Sequence, residues 1–171
     1  ARSRGPTRRV DRAGRPSRRA RRAARRRPPR LPPGILDDSV EAHRHLVAVS
    51  GALLVVDGYN LARTAWSALE PEEERRRTVA LLEEAAARRG APVTVVFDGD
   101  GSVAPAASRS VRTVFSAAGV TADEAIADLL HTLSSDQEVV VVSSDREVLA
   151  DARSQGAATL TSPQFLAASG R

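Results

Sequence analysis

Leu53 to Asn60 reads L-L-V-V-D-G-Y-N, an apolar, partly β-branched run that stops abruptly at an aspartate, a glycine and an asparagine. A strand buried on both faces has this composition, because neither of its sides meets water. The polar residues that follow read as a loop at the rim of the sheet. In an open α/β sheet the carboxyl ends of the strands border the ligand crevice. Two further runs follow the same plan: Val93 to Asp98, V-T-V-V-F-D, and Val139 to Asp145, V-V-V-V-S-S-D. Three apolar strands that each end in aspartate predict carboxylates converging on one edge.

Helical patterns lie between these runs. Residues 61–69 carry Leu61, Trp66 and Leu69. Residues 71–89 open with Pro71 and the glutamates Glu72, Glu73 and Glu74, which suit a positive helix start, and close on Arg88, Arg89 and Gly90. A glycine-rich loop over 98–110 leads to a partly alternating strand at 111–115. Thr121, Ala122, Asp123 and Glu124 then form a capping-box pattern ahead of the stripe Ile126, Leu129, Leu130 and Leu133. A helix is expected from Ser144 or Asp145 to just before Gly156, then a short strand at 158–160, then a last helix with Ser162 as cap and Pro163 first. Strands alternating with helices predict an α/β fold with a parallel sheet and right-handed crossovers. With strands two and three on one side of the first, and four and five on the other, the order is 3-2-1-4-5. The switch point then falls between strands one and four, flanked by Asp57 and Asp145.

A chain of 171 residues has room for one ordinary domain and some extra sequence. The absence of cysteine excludes disulfides, thiolate nucleophiles and zinc–thiolate sites. No apolar stretch approaches the ~18 residues of a membrane span, and the basic start lacks the apolar core of a secretory signal, so a cytoplasmic location and no membrane partner are expected. The lack of any methionine, even at position 1, is what a processed chain or a fragment would show. The formal charge of +5 averages two unlike segments, +13 over residues 1–30 and −8 over residues 31–171. Residues 1–30, rich in arginine, alanine and proline, are expected to be a disordered tail, since they cannot bury enough apolar surface to offset the entropy of ordering. That tail reads either as a phosphate-binding arm or as a solvated leader. Residues 31–50 read as a linker with a short helix over 39–46, and the domain as 51–168. His43 and His45, two apart, do not share a helical face and suggest no zinc site.

Taken singly, each acid has a plain explanation. Asp-Gly is a common turn pair, Asp145 suits a helix cap, and Asp123 suits a helix dipole. Asp57, Asp98, Asp123 and Asp145 at one sheet edge are harder to explain that way, because unneutralised carboxylates a few ångströms apart raise one another's pKa. Mg²⁺ or Mn²⁺ removes the repulsion and prefers oxygen ligands. Such an ion also lowers the pKa of bound water and steadies in-line displacement at a phosphodiester. Asn60 would orient that water or hold a phosphate oxygen, or else be a turn residue. Ser143 and Ser144 would donate to an RNA phosphate or cap the following helix. Tyr59 reads as a face for base stacking or, in preference, as packing against the first helix, Trp66 as a core residue and His131 as a surface or half-buried residue. No G-x-S-x-G elbow and no phosphate-loop lysine exists, since every basic residue is arginine.

V-V-D-G-Y-N, V-V-F-D-G, T-A-D-E at a helix start and V-V-S-S-D-R-E-V, in that order, resemble the YacP-like branch of the NYN domains, which are PIN-like metal-dependent ribonucleases. The resemblance spans roughly residues 51–168. It implies a PIN-like three-layer sandwich with the 3-2-1-4-5 sheet and helices on both faces. It also implies an endoribonuclease using Mg²⁺ or Mn²⁺, with RNA as partner, in some members ribosome-associated. The family's functional positions fall on Asp57, Asn60, Asp98, Asp123 and Asp145, with Glu124 beside Asp123; Asp57, Asp123 and Asp145 would hold the metal. The arginine-rich start lies outside the family pattern.

Two other functions compete. A non-catalytic RNA-binding module would draw its affinity from the tail and ignore EDTA. A phosphatase is suggested by F-D-G-D-G-S-V at 97–103, which is similar to the nucleophile motif of haloacid dehalogenases, with Asp98 attacking and Asp100 as acid. That motif normally ends the first strand of its fold, and here only about 70 residues follow it.

Overall fold

The apolar run that begins at Leu53 forms the central strand of a five-stranded parallel sheet, in a computed structural model that describes residues 26–99 and 108–171. The strands are β1 (Leu53–Asp57), β2 (Val93–Phe97), β3 (Val111–Phe115), β4 (Val139–Val142) and β5 (Ala158–Leu160). Their order is β3-β2-β1-β4-β5, as expected, with the switch point between β1 and β4. Six helices surround them: α1 (Val40–Ala48), α2 (Gly58–Ala65), α3 (Pro71–Arg89), α4 (Ala122–Thr132), α5 (Arg146–Ser154) and α6 (Ser162–Ala168).

The period-2 alternation of a strand divides the valines between two cores. Leu54, Val56, Val93, Val95, Phe97, Val140 and Val142 pack with α1, α2, α3 and α6. Val55, Val96, Val139 and Val141 pack with Ile126 and Leu130 of α4 and Val148 and Ala152 of α5. Both sides of the sheet are thus covered, which is why these strands are continuously apolar. A fully buried aliphatic side chain contributes roughly 1.5–3 kcal/mol, so the central strands dominate the driving force for folding. Arg89, at the end of α3, is buried and donates through Nη2 to Val49 O at 2.5 Å and Ala52 O at 2.6 Å, tying α3 to the entry of β1.

Three local expectations need correction. The D-G-Y-N stretch is not a loop. Asp57 ends β1 and is the N-cap of α2, which begins at Gly58. This direct junction requires glycine, because a Cβ at position 58 would stand 2.3 Å from Cε1 of the buried Phe97 ring. α2 also ends at Ala65, leaving Trp66 and Leu69 beyond it; Trp66 packs half-buried against the larger core. Finally, α6 is capped by Thr161 and not Ser162, through a reciprocal box with Gln164. Ser162 is therefore free for another partner.

Residues 1–25, and with them the choice between arm and leader for that part of the tail, lie outside the described residues. Residues 26–30, also assigned to the tail, lie against the domain instead. Arg26 is buried, its Nη2 donates to Leu130 O at 2.8 Å, and its carbonyl oxygen sits 2.1 Å from where a Cβ on Gly156 would be. These contacts fall just before β4 and β5, at the amino edge of the sheet. The expected helix over 39–46 is α1, capped by Ser39. Among the described residues, no helix is long and apolar enough to cross a membrane.

Candidate functional site

Four helices, α2, α4, α5 and α6, begin at the carboxyl edge of the sheet, and an aspartate from that edge serves the start of each of the first three. Asp57 Oδ1 accepts from Asn60 N at 3.1 Å, and its Oδ2 accepts from Ser143 Oγ at 3.0 Å. Asp145 caps α5, with Oδ1 accepting from Glu147 N at 2.7 Å and Val148 N at 3.3 Å. Asp98, just past β2, accepts through Oδ1 from the backbone N–H of Ala122, the first residue of α4. Helix starts carry unpaired N–H groups and a partial positive charge, so a carboxylate is stabilised at each of these places. Asp123 differs. It lies in the first turn of α4, whose cap is Thr121 with Glu124 closing the box, and among the described residues no hydrogen bond to its carboxylate is found.

All four aspartates line one cavity of about 320 Å³, together with Tyr59, Asn60, Arg63 and Thr64. Burial pushes the Asp57 carboxyl up from 3.8 to about 6; the bonds from Asn60 N and Ser143 oppose that rise, and the charges of Asp123 and Asp98 add to it. Asp123 is also raised, first by desolvation and then by the charges of Asp145, Asp98, Glu147 and Glu124. Two groups held above the ordinary carboxylate range in one cavity mark a place where a cation is favoured. Hard oxygen donors of this kind suit a small divalent ion. Among the described residues, no group of three or more histidine, aspartate or glutamate side chains is already arranged to hold a metal ion. Of the four carboxylates lining the cavity, Asp123, with no hydrogen bond to break among the described residues, is the readiest to turn toward an ion.

Asn60 is fixed from two sides. Its Oδ1 accepts from Ser144 N at 2.7 Å and from Ser162 Oγ at 2.7 Å. The backbone N–H can only donate, so the amide oxygen must face the serines and the NH₂ group is left for the cavity. Asn60 thus offers donors, which suit a water or phosphate oxygen and not a metal ion. Ser162 is fully buried and is the residue that sequence reasoning missed, having been read as a cap. The signal was present, since T-S-P-Q over 161–164 is a T-x-x-Q box that places the cap one residue earlier.

Ser143 is fully buried and holds the rim together, donating to Asp57 and accepting from Asp145 N at 3.1 Å. Neither Ser143 nor Ser144 caps α5, because Asp145 does. Ser144 is exposed, and its Oγ accepts from Ser162 N at 3.2 Å, which leaves the hydroxyl proton to give to a ligand. Tyr59 is buried edge-on against Phe97, with ring centroids 5.1 Å apart, so its face is not open to a base. His131 is exposed and its Nδ1 lies 2.8 Å from Ala127 O; His45 Nε2 lies 3.1 Å from Arg30 O. Asp100, the acid of the phosphatase reading, lies outside the described residues. Asp98, its nucleophile, already serves the start of α4.

Residues 54–169 match the sequence profile of the YacP-like NYN domain. Among solved structures, the chain is similar to Rae1 (YacP) from Bacillus subtilis at 25% identity and a TM-score of 0.58, covering 69% of this chain and 73% of that one. A tryptophan-to-leucine mutant of the same protein matches at 26% identity and a TM-score of 0.54, over 69% of this chain and 74% of that one. No curated protein matches the chain.

Proposed function

The chain belongs to the YacP-like NYN domain family, whose fold is of the PIN-like nuclease type, and from that premise we propose that it is a metal-dependent endoribonuclease. Asp57, Asp123 and Asp145 would hold Mg²⁺ or Mn²⁺, and Asp98 would assist from beside them. When bound, the ion would supply an acidified water and charge neutralisation at the phosphodiester. The chain's own residues orient the substrate. The Asn60 NH₂ group donates to water or to a phosphate oxygen, the Ser144 hydroxyl donates to phosphate, and Ser143 keeps Asp57 and Asp145 in register.

The observation that carries this reading is Asp123. It shares a cavity with three other aspartates, is raised in pKa first by desolvation and then by the charges of Asp145, Asp98, Glu147 and Glu124, and among the described residues has no hydrogen bond to explain its position. Single-stranded and structured RNAs incubated with the protein in Mn²⁺ should be cut internally, and EDTA should stop the cutting. Asp123→Asn should remove cleavage without lowering the melting temperature. Wild-type-like cutting by that variant would refute the assignment.

One observation favours a non-catalytic RNA-binding module instead. Asp57, Asp98 and Asp145 each fasten a helix start, so structure alone accounts for three of the four acids. That module would bind RNA equally well with and without EDTA and leave it intact.

A further inference from the structure

The arginine run Arg75–Arg76–Arg77 looks uniform in sequence and is not uniform in space. Arg76 and Arg77 both pair with Glu73, at 2.7 and 2.5 Å. Arg75 turns the other way, and its Nη1 donates to the Tyr59 hydroxyl at 2.6 Å. Its Nε is buried without an acceptor. The Arg63 guanidinium lies 5.4 Å from the ring centroid of the same tyrosine, and Arg63 lines the cavity that holds the four aspartates. Among the described residues, the ion pairs engage Arg76, Arg77, Arg88 and Arg171, and neither Arg63 nor Arg75 enters one.

Two guanidinium groups outside any ion pair among the described residues, Arg63 lining the acidic cavity and Arg75 bonded to a tyrosine that lines it, need a reason in a segment of formal charge −8. Arg63 in the last turn of α2 gains something from the helix dipole, but that does not explain Arg75, whose buried donor bears a desolvation cost until an acceptor arrives. Planar forks of donors match phosphate oxygens in geometry and charge. We propose that Arg63 and Arg75, both in contact with Tyr59, bind a backbone phosphate of single-stranded RNA next to the phosphodiester that lies over the aspartates. Because the Tyr59 ring is packed on Phe97 and roofed by Arg63, the contact is to the backbone and tolerates any base.

This inference rests on RNA being the substrate, as proposed above, but not on catalysis. Its test is the binding of a short fluorescent single-stranded RNA to the full chain in EDTA, over a series of salt concentrations. Arg63→Gln/Arg75→Gln should weaken binding about five- to fifty-fold and flatten the log–log salt slope by about 1 to 2. Arg76→Gln/Arg77→Gln removes the same charge and should change affinity less than about two-fold, since a paired surface arginine has little to offer a phosphate. Equal weakening by both double variants, or none by the first, would overturn the proposal. If Arg75→Gln fails to fold, Arg63→Gln alone should still weaken binding more than the Arg76/Arg77 pair, and its failure to do so would be decisive. Intact RNA in Mn²⁺ would count against the nuclease reading only, leaving the phosphate site to stand or fall on the binding comparison.

Discussion

Replacing Asp57 by asparagine should make the metal-free protein more stable while destroying its activity. Asp57 sits 6% exposed with its carboxyl raised from 3.8 to about 6. At about 1.4 kcal/mol per pH unit, the folded state at pH 7 carries a penalty of roughly 3 kcal/mol for keeping this group ionised. Asparagine removes that penalty and still accepts from Asn60 N through Oδ1, so the α2 cap survives. It cannot accept from Ser143 Oγ on the Nδ2 side, and one strained or lost hydrogen bond costs about 1 kcal/mol. The net gain is about 2 kcal/mol, or roughly 4–8 °C in melting temperature for a domain of this size. The pH dependence has a definite sign. A folded-state pKa above the unfolded one means that the contribution of protonation to stability is full below about 4 and is lost as pH rises through about 6. The advantage of Asp57→Asn should therefore shrink by about 1 kcal/mol between pH 7 and pH 5. Thermal melts in EDTA at both pH values test this, and added Mn²⁺ should raise the wild-type midpoint but not the variant's. A variant less stable than wild type at pH 7 in EDTA, or a gap that does not narrow on acidification, would refute the reasoning.

Ser162→Ala strips one of the two donors from Asn60 Oδ1; kcat for RNA cleavage should fall about tenfold with KM little changed, stability should drop about 1 kcal/mol, and Ser162→Thr should recover much of the loss. Gly58→Ala drives a methyl group into the Phe97 ring and should cost about 1–3 kcal/mol in urea denaturation, with cleavage falling as Asp57 and Asn60 shift together. Gly156→Ala meets both the Arg26 carbonyl and an unfavourable φ of +84°, so it should release residues 26–30 and speed tryptic cutting after Arg26 under native conditions.

The sheet was legible because burial on both faces leaves a strand nothing but apolar residues, and each run announces its own end with an aspartate. The gathering of Asp57, Asp98, Asp123 and Asp145 at one cavity followed from the strand order. What escaped notice depends on neighbours distant in sequence. Asp-Gly reads locally as a turn, and only the Phe97 ring beside Gly58 explains why helix follows strand without a linker. Arg75 cannot be told from Arg76 until Tyr59 is placed in contact with it and with Arg63. Arg26 belongs to a monotonous arginine run, and nothing local marks it as the residue that finds the carbonyls at the end of α4. Ser162 was misassigned by one position, because two adjacent hydroxyl residues both suit a cap.

The double duty proposed for the rim aspartates bears on how this lineage can change. A descendant that abandoned chemistry would still be under pressure to keep an acceptor at positions 57, 98 and 145, since losing one leaves an N–H in the first turn of a helix unpaired, at a cost of about 1 kcal/mol. Asp98 and Asp145 would persist as a fossil long after turnover ceased, while asparagine would serve the α2 start at 57 as well. Position 123, with no such second employment, is where a retired enzyme would first drift.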